Sequence, residues 1–198
     1  MGSRATKRLV DVVGVLMAGI LLSPVMVVAA LAVLLTMGRP VLYVTTRAGI
    51  HGRPFRLVKF RTMRLTPEPD GQRITSLGRL LRQTSLDELP ELWNVLRGEM
   101  SLVGPRPLYL HYIPLYTAHQ ARRLEVRPGL TGWAQVKGRN ALSWEERFDL
   151  DVWYADHRSL WLDLKILAMT APVAMRGRGV SAPGHATMPE FIGSDDDR

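Results

Sequence analysis

The sequence predicts an α+β fold attached to a membrane: a monotopic protein with an N-terminal re-entrant helix–break–helix, a small sheet, and amphipathic helices lying in the interface. Three observations predict it. Residues 12–37 carry no charged side chain, and Ser23-Pro24 interrupts that run near its middle. Short β-branched and aromatic segments then flank a glycine turn at 49–52. Beyond them, apolar residues recur at helical spacing. The expected organisation is a membrane segment over 1–38, a folded unit over 39–176 and a poorly ordered tail over 177–198, where Gly and Pro gather and the chain ends in three aspartates and an arginine.

The uncharged run is long enough to cross a hydrocarbon core of about 30 Å as a helix, and too long for the apolar region of a cleaved signal. Pro24 removes a backbone bond and clashes with the preceding turn, leaving halves too short to span alone. Basic residues flank both sides, Arg4, Lys7 and Arg8 before and Arg39, Arg47 and Arg53 after. A spanning helix has a cationic bias to one side. The symmetry favours a helix that enters and leaves on the same face, with Ser23 and Pro24 as the break; a straight span is the alternative.

Composition narrows the chemistry. The 198 residues have a net charge of +8, and only four of the 26 cations are lysine. With no cysteine, disulfides, thiolate zinc sites and thiol nucleophiles are excluded. The five histidines lack ligand spacing. Residues 1–64 hold ten cations and one acid, Asp11. That balance suits an anionic membrane surface, a nucleic acid or a phosphorylated substrate. A nucleic-acid binder needs a groove-reading basic helix or aromatics interleaved on a basic sheet; neither is evident, so no nucleic acid is expected.

Element by element, 41–46 reads as a strand and 55–63 as a half-buried strand with one basic face carrying Arg56 and Lys59. Residues 66–73 read as a loop, 74–82 as a helix with Leu77, Leu80 and Leu81 on one side. Another helix runs through Leu92 to a stop at Gly98. Its start has two solutions: a Ser85/Glu88 capping box, or a later start with Pro90 in the first turn and Asp87 as N-cap. Residues 127–133 read as a glycine-rich turn, 144–158 as a charged helix, and 161–171 as a helix that Pro172 ends or kinks. Trp153, Tyr154 and Trp161 suit either a headgroup layer or the core.

The densest stretch is Thr84 to Pro107. Asp87 and Glu88 stand together where helix N–H groups favour anions; Arg82 precedes them, and Pro105 and Pro107 fix the chain around Arg106. On local sequence alone the acidic pair reads first as a helix cap, but a cap does not need the arginines and rigid turns that follow. Together these groups suggest phosphate chemistry at a metal. Gly138 beside Arg139 would let backbone approach a phosphate, though locally a plain surface turn explains it as well.

Four stretches, Lys59-Phe-Arg-Thr-Met63, Thr84 to Pro107, Arg127 to Asn140, and Asp151-Val-Trp-Tyr154 with Asp163 beyond, resemble the bacterial sugar transferases, the small monotopic phosphoglycosyl transferases. The resemblance covers nearly the whole chain, and no departure occurs at the acidic pair. It implies transfer of a sugar-1-phosphate from a UDP-sugar to a polyprenyl (undecaprenyl) phosphate, with release of UMP, as the first membrane step of glycoconjugate synthesis. Asp87 would be the nucleophile and a ligand of Mg2+ (or Mn2+), and Glu88 would assist. Arg82, Arg106 and Arg139 would hold phosphates; Lys59, Asp151 and Asp163 would lie near the site. The expected location is the bacterial inner membrane, active site on the cytoplasmic face. A nucleotide-diphosphate-sugar hydrolase and a non-enzymatic basic membrane adaptor are the alternatives.

Overall fold

The structure, a computed structural model, describes residues 4–67, 70–138, 141–176 and 190–193. Helix α1 runs from Arg4 to Met37 with Pro24 inside it. Where a break was expected, the helical assignment continues. Pro24 has no N–H to offer the carbonyl of Ile20 one turn back, but the Ser23 hydroxyl donates to that oxygen at 2.8 Å. The freed acceptor is satisfied from within the helix, as membrane helices require.

Both ends of α1 are fastened to the rest of the protein. Near its start, Lys7 pairs with Asp163 at 2.6 Å. Arg8 donates to the carbonyls of Val95 and Leu96 at 2.5 and 2.6 Å. Asp11 is buried and accepts from the Ser101 hydroxyl and the Leu102 N–H. At the other end, Ala29 and Val33 pack with Phe60 and Leu81, and Arg61 donates to the carbonyls of Met37, Gly38 and Arg39. These are the orphan acceptors of a helix C-terminus, where a cation also suits the dipole. Between the two docked ends, Met17, Ile20, Leu21, Val27 and Val28 are exposed.

Strands β1 (Leu42–Ala48) and β2 (Pro54–Phe60) form an antiparallel hairpin in register Leu42↔Phe60 to Ala48↔Pro54. A single turn, α2 (Asp70–Arg73), lies in the segment expected as loop. Helix α3 (Ser76–Gln83) starts at Thr75, whose side chain accepts from the Gly78 N–H. A Cβ on Gly78 would lie 1.9 Å from the Thr62 carbonyl oxygen, so glycine is what lets α3 rest on the chain leaving β2.

Neither expected start for the next helix forms. Ser85 takes a left-handed conformation (φ 58°) with no side-chain cap bond, and Leu86–Glu91 is a 3-10 helix leading into α4 (Leu92–Arg97). Asp87 therefore lies inside the first turn. Gly98 ends α4 at φ 78°. Asn94 ties α4 to β2, donating to Arg56 O and Glu99 and accepting from Val58 N–H.

Strand β3 (Ser101–Val103) pairs parallel with β4 (Gly129–Thr131). The sequence marks 127–133 as a turn because of its glycines. Here they serve close approach instead: a Cβ on Gly129 would lie 2.0 Å from Gly104 N, and one on Gly132 2.1 Å from Gly104 O. The remaining helices are α5 (Ala118–Ala121), α6 (Trp133–Lys137), α7 (Trp144–His157), which begins with a Ser143/Glu146 capping box, and α8 (Leu160–Arg176). Pro172 lies within α8 and does not end it.

The main core joins Phe55 and Leu57 of β2, Val95 of α4, Val103 of β3, Tyr154 of α7 and Ile166 of α8 with Val15 of α1. Tyr154 belongs to this core and not to a headgroup layer; its hydroxyl donates to Asp163 at 2.6 Å and Val103 O at 3.0 Å. Trp161 is 77% exposed. A second aromatic cluster holds Tyr112, Phe148 and Phe191. Phe191 belongs to the segment expected as tail, of which only 190–193 are described, and it is buried.

Candidate active site

The hairpin, the 3-10 turn and the loop after β3 converge on the acidic pair. Lys59, near the end of β2, lies 3.0 Å from Glu88 and 2.9 Å from Glu91. The contact with Glu88 is a hydrogen bond; the Glu91 Oε1 approach is close but lacks hydrogen-bond angles. Arg106 donates to the same Glu88 oxygen at 2.6 Å. Arg56, three residues from Lys59, falls on the other side of the strand and is exposed, so the expected single basic face is split. Arg82 donates from Nε to the Thr62 hydroxyl at 2.9 Å, a position that follows from the Gly78 contact one turn earlier in α3.

The two acids are thereby given different states. Burial opposes the Glu88 carboxylate, but Arg106 and Lys59 outweigh it and hold its pKa well below the ordinary range. Glu88 raises the Arg106 pKa in return. Burial also works against the Lys59 ammonium, and Glu88 and then Glu91 more than offset it, so its pKa is raised. Asp87 is 8% exposed and no side chain or backbone group among the described residues hydrogen-bonds to it. Burial, then the Glu88 charge, push its pKa up to about 6, against the pull of Lys59, Arg82 and Arg106. Glu91 is raised to about 7, first by burial. Glu88 is a committed counter-ion. Asp87 is a basic, unengaged carboxylate ringed by three cations.

Asp151 reaches this cluster through an intermediary. Arg123 gives Nε and Nη2 to Asp151 Oδ2 at 3.1 and 2.7 Å, and Nη2 also donates to the Arg106 backbone carbonyl at 2.6 Å. The pair is buried, and it fixes the residue between Pro105 and Pro107 from behind. Asp163 is engaged elsewhere, by Lys7 and Tyr154, and fastens α1 to α8. Arg139 lies outside the described residues. Of the expected set, then, Lys59, Arg82, Asp87, Glu88 and Arg106 come together, Asp151 acts from one layer further out, and Asp163 does not join them.

Arg123 and Glu91 were not anticipated. Arg122 and Arg123 are indistinguishable in local sequence, yet Arg122 pairs with Asp156 near the surface while Arg123 is buried. Glu91 follows Pro90 on a short turn and carries no motif of its own. No local signal marks either one, because burial is decided by elements far away in the chain.

Among the described residues no three His, Asp or Glu side chains form a cage for a metal ion. The donor that is available is Asp87, whose carboxylate is not consumed by other bonds. That suits a hard cation which takes one or two carboxylates and completes its shell with substrate phosphates and water, as Mg2+ does.

A family model described as "Bacterial sugar transferase" matches residues 2–177. The chain belongs to the bacterial sugar transferases. Among the relatives of this sugar transferase, an uncharacterized sugar transferase, EpsL, of Bacillus subtilis is 49% identical, over 96% of this chain and 97% of the relative. The UDP-glucose:undecaprenyl-phosphate glucose-1-phosphate transferase of Caulobacter vibrioides is 42% identical over 84% of this chain and 68% of its own. The undecaprenyl-phosphate galactose phosphotransferase of Salmonella typhimurium is 38% identical, over 89% of this sugar transferase and 42% of the relative's length.

Proposed function

We propose that this sugar transferase moves a sugar-1-phosphate from a UDP-sugar to undecaprenyl phosphate, with Asp87 carrying the phosphosugar between the two. The observation that carries the reading is the split between the paired acids: Glu88 is locked by Lys59 and Arg106, and Asp87 is free. The relatives named for glucose-1-phosphate and galactose phosphate transfer to undecaprenyl phosphate support the substrate classes.

In the first step an Asp87 oxygen attacks the β-phosphorus of the donor. The new O–P bond forms as the bridging oxygen takes the electron pair and leaves on UMP. In the second step an oxygen of the lipid phosphate attacks the same phosphorus, and Asp87 departs as carboxylate. Carboxylates serve as nucleophiles toward phosphorus, but two anions must be brought together. Lys59, Arg82 and Arg106 lower that barrier by charge already fixed in place. Bound at Asp87 and the diphosphate, Mg2+ would supply charge neutralisation of the phosphate oxygens.

The proposed membrane placement is supported by α1. At 1.5 Å per residue its length is about 51 Å, yet Lys7, Arg8 and Asp11 near one end and Ala29, Val33 and Met37 near the other are held by the same body. A spanning helix puts its ends on opposite sides of about 30 Å of hydrocarbon. One body holding both ends supports re-entry on one face, with the exposed stretch from Met17 to Val28 in lipid and Trp161 of α8 at the headgroups. That face is the cytoplasmic one of the bacterial inner membrane, where nucleotide sugars are available. Tags on both termini should then be reached from the cytoplasm; an N-terminal tag reached only from outside contradicts re-entry.

The transferase reading is tested by UMP release from detergent-purified protein with Mg2+ and a panel of UDP-sugars, each with and without undecaprenyl phosphate. Lipid-dependent turnover with one sugar is expected, and identifies the donor. Steady release without lipid makes the protein a hydrolase instead.

A further inference from the structure

Arg47 has no role in the site described so far. It stands next to last in β1, where the N–H of Ala48 bonds to Leu108 O at 2.9 Å and sets the strand beside the chain leaving Pro107. Its guanidinium lies over the Tyr109 ring, with Cζ 3.4 Å from the centroid. Nε is buried and bonded to nothing, and among the described residues no carboxylate is within ion-pair distance of it. Burial lowers its pKa, and the nearby Arg106 charge lowers it further. Arg47 as a whole is half-buried, whereas Arg147 of α7 is buried and lies near the same Arg106. The Arg147 pKa is pushed down to about 10, by burial first and then by Arg106. Buried cations are ordinarily paired.

The hairpin register says which substrate end this corner serves. Tyr43 pairs with Lys59 and Arg47 with Phe55. Four residues apart on one strand, Arg47 and Tyr43 share a face, and Lys59 opposite Tyr43 shares it as well. Along that face the order is fixed. The end joined to α1, with Leu42 paired to Phe60, comes first; Lys59 with Glu88 is next; Arg47 is about 13 Å further on. With α1 re-entrant as proposed above, a lipid phosphate would arrive from the α1 end and a water-soluble nucleotide from the other.

We infer that Arg47, stacked on Tyr109, binds the α-phosphate of the nucleotide donor, the phosphate that leaves on UMP. The inference rests on the transferase reading above and adds a direction to it: donor nucleotide at the membrane-distal end, lipid phosphate at the proximal end, Asp87 between.

The test is UMP binding by isothermal titration to the full-length, detergent-purified wild type, Arg47→Gln and Arg47→Lys, with thermal midpoints to report folding. Alongside it, KM for undecaprenyl phosphate is measured for each. Loss of a charge-assisted phosphate contact should weaken UMP about tenfold or more in Arg47→Gln. Lysine should recover part of the loss, keeping the charge without the planar fork, and the lipid KM should stay within about twofold. If Arg47→Gln does not fold, weakened UMP binding in Arg47→Lys with an unmoved lipid KM supports the inference. UMP affinity equal to wild type in the folded variants overturns it, as does a rise in lipid KM in place of a UMP effect. Wild-type protein that binds no UMP overturns this inference and the transferase reading together; wild type that binds UMP and releases it in lipid-dependent turnover, with Arg47→Gln binding equally well, overturns the role of Arg47 alone.

Discussion

Asp87→Asn is expected to abolish lipid-dependent UMP release, with a loss of about 10^4-fold or more, the scale on which removal of a covalent nucleophile is felt. The fold should survive, and at pH 7.5 the thermal midpoint should match or exceed wild type. The Asp87 carboxyl titrates at about 6 in the folded protein against an ordinary 3.8. The folded state therefore gains stability from its protonation at low pH and loses that gain as pH rises through about 6. At pH 7.5 the ionised side chain is a net cost, which asparagine removes. The same titration predicts a pH profile. The nucleophile is the ionised form, so kcat/KM for the wild type should fall by one proton's slope below about pH 6 at saturating Mg2+, shifted downward to the extent that the metal favours the carboxylate. Substantial activity in Asp87→Asn, with the protein pure and the asparagine intact, sinks the nucleophile assignment. Glu88→Gln separates the two acids: it removes the counter-ion of Lys59 and Arg106 and should slow the reaction while also lowering stability.

The acidic pair shows how far sequence reaches here. Asp87 and Glu88 are adjacent and chemically alike, and nothing local distinguishes a paired counter-ion from an unengaged carboxylate. What separates them is Lys59 from the hairpin and Arg106 from the loop after β3, which both choose Glu88. The existence of the site was legible, because arginines and prolines crowd around the pair in sequence; the division of labour was not. Ser85 illustrates the same limit in backbone terms. Its spacing to Glu88 matches a capping box, but a left-handed Ser85 and a 3-10 first turn replace the expected start. Proline and glycine serve roles that spacing alone does not specify. Pro24 lies within α1 with its lost bond made up by Ser23, and Pro172, read as ending or kinking its helix, lies inside α8 and does not end it. Gly129 and Gly132 read as turn residues, and the structure uses them where parallel backbones touch Gly104. Hydrophobic periodicity located α3 and α8 but not which leucines they bury: of the stripe expected in α3, Leu81 is buried while Leu80 is 53% exposed, and in α8 Leu162 and Ile166 are buried while Leu164 is exposed, because the partners packed against each helix choose its buried face.

Asp151→Asn should cost both stability and rate. Asp151 and Arg123 are each 2% exposed at the side chain and lie 2.7 Å apart. Removing the carboxylate charge leaves a guanidinium buried without an anion, a change that costs about 3–5 kcal/mol. For a protein of this size that corresponds to a fall in thermal midpoint of roughly 6–20 °C. The catalytic effect arises separately. Arg123 holds the Arg106 carbonyl at 2.6 Å, and the Arg106 side chain holds Glu88, so an Arg123 that turns away in search of an anion loosens Arg106, and with it Glu88, by a fraction of an ångström or more. Misplacement of about 1 Å can cost about 10^2-fold. A double variant separates the two effects. Asp151→Leu with Arg123→Met replaces the pair by apolar groups of similar volume and should restore much of the stability, since burying neither charge is often neutral or better. It should not restore the rate, because the Arg106 carbonyl still lacks its donor. If the double variant recovers both, Arg123 and Asp151 only support the fold. If Asp151→Asn alone matches wild type in midpoint and in UMP release, the chain of contacts from Asp151 through Arg123 to Arg106 does not position the site at all.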